Sequence, residues 1–297
     1  MEVIMNRLEI LKTYKIYING QFPRSESGRY YALMNEKGRS IGNVCLSSRK
    51  DLRNAVVAAR KALGGWSERS AFNRGQILYR IAEMLEGRAT QFCEELEKQG
   101  LSSEAAIQEV HLAIDRIVYY AGWCDKFQQI ASSVNPVASA HFNFSVVEPT
   151  GVVGIIAPTN SGLIGLVSLL LPSLCGGNAC VVLASEKMPL CAVTFAEVLH
   201  ASDVPPGVVN VLTGSKTELC TSMAEHMDIN ALVYGGEDKE LLQLMQAKAS
   251  ENVKRVFDYT QDWMNPNSQD LHMVLDTQEV KTIWHPIENI GGASSSY

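Results

Sequence analysis

Between residues 151 and 185 the chain carries no charged side chain. The run is not continuous. Pro158-Thr159-Asn160-Ser161-Gly162 and Gly176-Gly177-Asn178 cut it into three short apolar pieces. A membrane-spanning helix needs about 20 uninterrupted apolar residues, so the pieces read as a buried strand, a buried helix and a buried strand. The alternation continues downstream. Strands are expected at 152–157, 179–183, 208–212 and 231–234, and helices at 163–174, 190–201 and 216–226. Strands alternating with helices of this length build a parallel sheet with right-handed crossovers. Such sheets take ligands beyond the C-terminal ends of their strands.

Upstream the period is mostly helical. Tyr14-Lys15-Ile16-Tyr17-Ile18 followed by Asn19-Gly20 predicts an opening hairpin. Ser48, with an acid three residues on at Asp51, is an N-cap signal. Leu52, Val56, Ala59 and Leu63 follow at helical spacing, and Gly64-Gly65 is the expected stop. A second helix is predicted over 72–98, with Ile77, Ile81, Leu85 and Leu96 on its apolar side and Gly100 closing it. A third starts near Ser103, carries Ile107, Leu112, Ile114, Ile117, Val118 and Tyr120, and runs towards Phe127. Residues 141–147 alternate Phe142, Phe144 and Val146 against His141, Asn143 and Ser145, the pattern of a half-exposed strand. Residues 263–268 are loop-like, 277–287 read as one isolated strand, and the low-complexity tail 291–296 is expected to be mobile.

Composition narrows the function classes. The chain has 297 residues, 46% hydrophobic and 20% charged, the balance of a globular protein with one large domain or two smaller ones. Twenty-six Lys and Arg against 32 Asp and Glu leave a net charge of −6, which argues against a nucleic-acid platform. The seven cysteines are odd in number and form no C-x-x-C pair, so a reducing, cytoplasmic setting with buried, inert thiols is expected. No Cys/His cluster has zinc spacing. His111 and Asp115, four apart on one helix, read as a pair on a solvated face rather than as metal ligands. Neither a G-x-x-x-x-G-K-[ST] run nor a G-x-S-x-G elbow occurs.

Three longer motifs carry a resemblance. Tyr119-Tyr120-Ala121-Gly122-Trp123-Cys124-Asp125-Lys126 is similar to a YYAGWADK segment. Glu148-Pro149-Thr150-Gly151-Val152-Val153-Gly154-Ile155-Ile156-Ala157-Pro158 is similar to EP-x-GVVG-I-x-P, and Pro205-Pro206-Gly207-Val208-Val209-Asn210-Val211-Leu212-Thr213-Gly214 to PPGVVNVVTG. In this order they resemble the aldehyde dehydrogenase superfamily, from about Tyr14 to about Tyr259. The resemblance implies an α/β, Rossmann-like NAD-domain with helices on both faces of a parallel sheet, plus oligomerisation strands. It also implies a division of the chain: an N-terminal extension at 1–13, the NAD-binding-type domain at 14–261 with an oligomerisation strand at 137–148, a linker at 262–276, a C-terminal oligomerisation strand at 277–287 and a flexible tail at 288–297.

The family's functional residues transfer only in part. Its P-W-N-x-P run, whose Asn helps hold the oxyanion, is Pro158-Thr159-Asn160-Ser161-Gly162 here, so Asn160 is kept. Of the Lys and Glu that reach the adenosine ribose, the Lys position is Leu183 and the Glu position is Glu186. The pyrophosphate loop F-T-G-S-x-x-x-G becomes Val233-Tyr234-Gly235-Gly236-Glu237-Asp238-Lys239-Glu240. Gly235 and Gly236 are thus vestiges of the site, and Glu237 and Asp238 place negative charge where a pyrophosphate would lie. The family's general-base Glu falls on Tyr259, and no cysteine follows Cys220 to act as nucleophile. Asp276-Thr277-Gln278-Glu279-Val280-Lys281-Thr282-Ile283-Trp284-His285-Pro286 resembles the family's last oligomerisation strand, with 141–147 as its expected neighbour.

The resemblance therefore implies a module without the catalytic domain, similar to the truncated C-terminal module of family 16 aldehyde dehydrogenases standing alone. The expected function is that of a non-catalytic subunit which oligomerises with, or supports, an active aldehyde dehydrogenase. It would use Phe142, Phe144, Val280, Ile283 and Trp284 and hold no cofactor tightly (NAD or NADP if any). One alternative is an NAD(P)-dependent oxidoreductase acting on aldehydes and contributing part of a shared site. Another is a self-associating structural protein. A full-length aldehyde dehydrogenase subunit or a second copy is the expected partner, with no nucleic acid and no membrane.

Overall fold

A computed structural model describes residues 10–287. Part of the expected N-terminal extension and the tail from 288 lie outside the described residues. β1 (Thr13–Tyr14), β2 (Tyr30–Met34) and β3 (Ser40–Cys45) form a small sheet in the order β1–β3–β2. The Asn19-Gly20 turn is present and closed by reciprocal Ile18 and Gln21 hydrogen bonds, with φ +52° and +74° at its two centres. It does not lead a hairpin of regular strands, because Tyr17 leaves it to bridge Val211 on the large sheet.

Four longer helices and one short one follow: α1 (Arg49–Ser67), α2 (Ala71–Glu86), α3 (Ala89–Lys98), α4 (Ser103–Trp123) and α5 (Phe127–Ala131). The capping box at Ser48 and Asp51 is formed. α1 runs through Gly64-Gly65 rather than stopping there, because Trp66 is fully buried and donates its indole N–H to Leu174 O at 3.3 Å. The helix predicted over 72–98 is broken at Gly87-Arg88 into α2 and α3. On α4, Ile107 and Val118 face solvent, while Glu109 and Arg116 are buried in the stripe with Val110, Ala113 and Ile117. A buried charge is tolerated only when its polar atoms find partners, and both side chains do.

β4 (Ser133–Asn135) and β5 (His141–Pro149) come next, then the repeating core. It comprises β6 (Val152–Ile156), α6 (Ile164–Cys175), β7 (Ala179–Leu183), α7 (Leu190–Ala201), β8 (Val209–Leu212), α8 (Lys216–Glu225), β9 (Ala231–Tyr234), α9 (Lys239–Ser250) and β10 (Arg255–Asp258). The five strands are parallel in the order β10–β9–β6–β7–β8. The alternate side chains of each strand feed two cores. Val153, Ile155, Cys180, Val182 and Val233 pack with α2, α3, α4, α6 and α7, and Val152, Ile156, Val181, Leu183 and Leu232 with α1, α8 and α9. Every residue of α6 is buried, as its charge-free sequence requires.

Beyond β10 the chain is held against this body. Arg116 donates from its guanidinium to Ser168 Oγ (2.7 Å), Asn265 O (3.1 Å) and Ser268 O. Trp263, Met273 and Val274 are buried, the last two in the short α10 (His272–Leu275). Residues 262–276, read as a linker from sequence, are thus packed onto α4 and α6. β11 (Gln278–Pro286) then pairs antiparallel with β5 over nine registered residues, from Gln278 opposite Pro149 to Pro286 opposite His141. It is therefore not isolated, and it completes a sheet in the order β11–β5–β4. Among the described residues no helix is long and apolar enough to cross a membrane.

Burial raises the phenol pKa of Tyr14, Tyr17, Tyr31, Tyr120, Tyr234 and Tyr259, for Tyr17 and Tyr234 up to about 12. The folded state thus holds these protons more tightly than the unfolded chain. Their contribution is complete below the ordinary phenol value of about 10 and is lost as pH rises through the raised values. Urea denaturation followed against pH is expected to show stability falling from about pH 10 upward. A flat profile to pH 12 would contradict this burial.

Candidate functional site

Strand order reverses at β6: β7 lies on one side of it and β9 on the other. The crevice outside such a reversal is where an α/β sheet presents a ligand. Its rim is built from the loop after β6, the loop after β9 and the segment after β10. A cleft of about 250 Å³ opens there, with Glu109, Asn160, Ser161, Gly235, Glu237 and Trp263 among its walls. Asn160 is exposed at the cleft, so the sequence motif brings it and Gly235 to one place.

Helices α6 and α9 start at this rim, and α8 starts farther along the same strand ends, after β8. The first amides of a helix lack partners within it and, with the helix dipole, form a ready anion site. Here each is met by one of the chain's own carboxylates. Glu109 Oε1, reaching in from α4, accepts from Leu163 N (2.8 Å), Ile164 N (3.0 Å) and Ser161 Oγ (3.2 Å). Glu186 Oε2 accepts from Lys216 N at 3.3 Å. Asp238 is the N-cap of α9 and accepts from Leu241 N at 3.0 Å. Glu237 and Asp238 therefore precede the first turn of α9, with Asp238 as its cap.

The loop after β9 is filled from below. Tyr234 is buried and donates its hydroxyl to Asp238 O at 3.0 Å. A Cβ at Gly236 would come within 2.5 Å of the Tyr234 ring, closer than any side chain tolerates. Two of the three departures from the family's F-T-G-S run, at 234 and 236, are thus coupled: with the Tyr234 ring in this place, a side chain at 236 would force it to shift. A Cβ at Gly235 would meet Leu169 Cδ1 at 2.5 Å.

The remaining sequence-predicted residues are dispersed. Glu186 lies past β7, exposed, and serves the α8 amide. Tyr259 is half-buried, its hydroxyl donated to Asp276 and its amide to Tyr234 O at 2.9 Å. Burial above all, then Asp276, pushes its pKa well up, so it cannot serve as a base near neutral pH. Six cysteines are buried and Cys93 is partly exposed. Burial raises the thiols of Cys93, Cys180, Cys191 and Cys220, the last to about 12, the opposite of an activated nucleophile. Among the described residues no group of His, Cys, Asp and Glu could hold a metal ion.

Of the strand residues, Phe142, Phe144 and Ile283 share one face of the β11–β5–β4 sheet. Val280 and Trp284 stand opposite Val147 and Asn143, on the other face. The five do not form a single patch. Val280 is 71% exposed and Trp284 56%.

Lys216, Tyr234 and Glu109 are the rim residues that sequence reasoning missed. Only Glu109 had a visible signal, as an acid within the apolar stripe of α4.

A dinucleotide is the cofactor that this kind of sheet, and the sequence resemblance, imply. The residues present do not fit it: Leu183 stands where a ribose-binding Lys is expected, and Glu109, Glu186 and Asp238 put carboxylates against the starts of α6, α8 and α9.

Comparison with known proteins agrees with the fold. The model of the Aldehyde dehydrogenase family matches residues 22–258. Omega-crystallin of Enteroctopus dofleini is 34% identical over 256 residues, covering 84% of this chain and 51% of that protein. Cytosolic 10-formyltetrahydrofolate dehydrogenase of Xenopus laevis is 30% identical over 262 residues, 86% of this chain and 29% of that protein. Among solved structures, HpcC from Thermus thermophilus superposes with a TM-score of 0.79 at 27% identity, over 83% of this chain and 48% of that one. An NAD+ complex of aldehyde dehydrogenase from Bacillus cereus gives 0.79 at 25%, over 83% and 50%. The chain therefore spans about half or less of the length of these relatives.

The Tyr234–Gly236 interlock is directly testable. Gly236→Ser is expected to destabilise the protein by about 1–3 kcal/mol, as overpacking does. In a Tyr234→Thr background the same substitution should cost far less. Equal costs in both backgrounds, measured by denaturation, would show that the ring and the Cβ do not compete.

Proposed function

The chain belongs to the aldehyde dehydrogenase family, and we propose that within it the chain is a non-catalytic subunit that oligomerises with, or supports, an active aldehyde dehydrogenase. The observation that carries this reading is the state of the ligand rim: at the starts of α6, α8 and α9 the chain's own Glu109, Glu186 and Asp238 each accept from helix amides (Leu163 and Ile164, Lys216, and Leu241), which puts three carboxylates on ground a dinucleotide's phosphates would need. Tyr259, in the place the resemblance gives to the general base, is raised in pKa and tied to Asp276.

The second sheet supports the partnership. β11 is an edge strand along its whole length, and an exposed edge is a template for pairing with another chain. Val134, Phe142, Val280 and Trp284 are exposed on that sheet. The partner of this reading is a full-length aldehyde dehydrogenase subunit or a second copy of the chain. One observation favours a different reading, an NAD(P)-dependent aldehyde oxidoreductase sharing its site with a partner: Asn160 remains exposed in the cleft.

Two experiments test the proposal. Purified protein given NAD or NADP and a panel of aldehydes is expected to show no turnover, and robust reduction of the cofactor would overturn the reading. Replacing Ile283 with Lys puts a charge beside Phe144 on the paired strands and is expected to reduce the assembly size seen by light scattering. An unchanged size would remove this sheet from the interface.

A further inference from the structure

Lys216 is an unusual residue for its position. It is the first residue of α8, where the helix dipole disfavours a cation. It is also only 7% exposed, and burial pushes its ammonium below the ordinary lysine value. Two unfavourable placements in one side chain call for compensation, and the geometry supplies it. Nζ donates to Ala157 O at 2.7 Å and to Thr159 Oγ1 at 3.0 Å. Thr159 is held from a second direction, because Ser185 Oγ donates to its carbonyl at 2.7 Å. Glu186 accepts the Lys216 amide, and Glu186, Glu237 and Asp238 supply the negative field around the ammonium.

These contacts join three loops. Ala157 and Thr159 follow β6, Ser185 and Glu186 follow β7, and Lys216 follows β8. In the sheet β7 lies between β6 and β8, so the Lys216 side chain spans the C-terminal end of β7, which finishes at Leu183. The positions that the sequence resemblance assigns to the adenosine ribose, Leu183 and Glu186, lie at that same end, beside the cleft between β6 and β9. We propose that Lys216 is a built-in occupant of the nucleotide crevice, a cationic strut that closes it to adenine nucleotides by fastening the loops after β6 and β8 across the end of β7. The inference rests on the non-catalytic reading and deepens it: the crevice is filled by the chain's own cation, with Glu109, Glu186 and Asp238 satisfying the amides around it.

The strut predicts a latent site. Calorimetry with AMP and with NAD should detect no binding by the wild-type protein. Lys216→Ala, which removes both the volume and the charge, should bind at least one of them saturably, at least about tenfold more tightly than the wild-type limit. Lys216→Met keeps most of the volume and serves as a second variant with an apolar tip. Binding by either variant supports the strut. Wild-type-like inertness of both, with circular dichroism unchanged, overturns it, as does nucleotide binding by the wild type. If neither variant folds, acylation of wild-type lysines read by mass spectrometry decides. Lys216 should react at least about tenfold more slowly than exposed Lys187 and Lys239, and equal rates overturn the closed crevice. Aldehyde turnover by the wild type is a separate outcome, which sinks the non-catalytic reading whatever Lys216 does.

Discussion

Five parallel strands ending on one side force several helices to begin there, and each beginning exposes unpaired amides and the positive end of a dipole. That concentration of donors must be satisfied by something. In a sheet of this kind the partner can be a bound anion. In this chain it is Glu109 at α6, Glu186 at α8 and Asp238 at α9. Each carboxylate comes from a different element, so the rim is stitched together by the same contacts that close it. Glu109 ties α4 to α6, Glu186 ties the β7 loop to α8, and Asp238 fixes the loop after β9.

The other departures at the rim follow from that closure. Tyr234 fills the space under its loop, where a side chain at 236 would collide with its ring. Lys216 crosses the end of β7 and anchors on the loop after β6. Trp263 and the segment behind it cover the far side, clamped by Arg116. The family fold is kept, with these side chains packed along the ends of its strands, and β11 stands at the edge of its sheet.

Much of the fold was legible in the sequence because its core obeys simple periods. The strands at 179–183 and 231–234 and the helix at 190–201 lie where alternation and turn residues put them. Errors arose where tertiary contacts override local signals. Gly64-Gly65 does not end α1, because burying Trp66 is worth more than the roughly 1 kcal/mol each glycine costs a helix. Gly87 was passed over as a break, since nothing local separates it from the tolerated glycines. Of the apolar residues on the third predicted helix, Ile107 and Val118 face solvent, while Glu109 and Arg116 turn inward. The site was legible only as loss: Leu183, Gly236 and Tyr259 stood out against the family pattern. What replaced the lost contacts depends on side chains from distant elements meeting at one rim, and a linear sequence does not display that.

The central claim is that the chain's own carboxylates occupy the helix starts at the ligand edge. Hydrogen–deuterium exchange measured with and without a large excess of NAD tests it most directly. Unchanged exchange in the loops at 157–163, 214–217 and 235–241 is predicted. Slowed exchange in any of these loops on adding NAD would contradict the account, because it would show that the dinucleotide still reaches the helix N-termini.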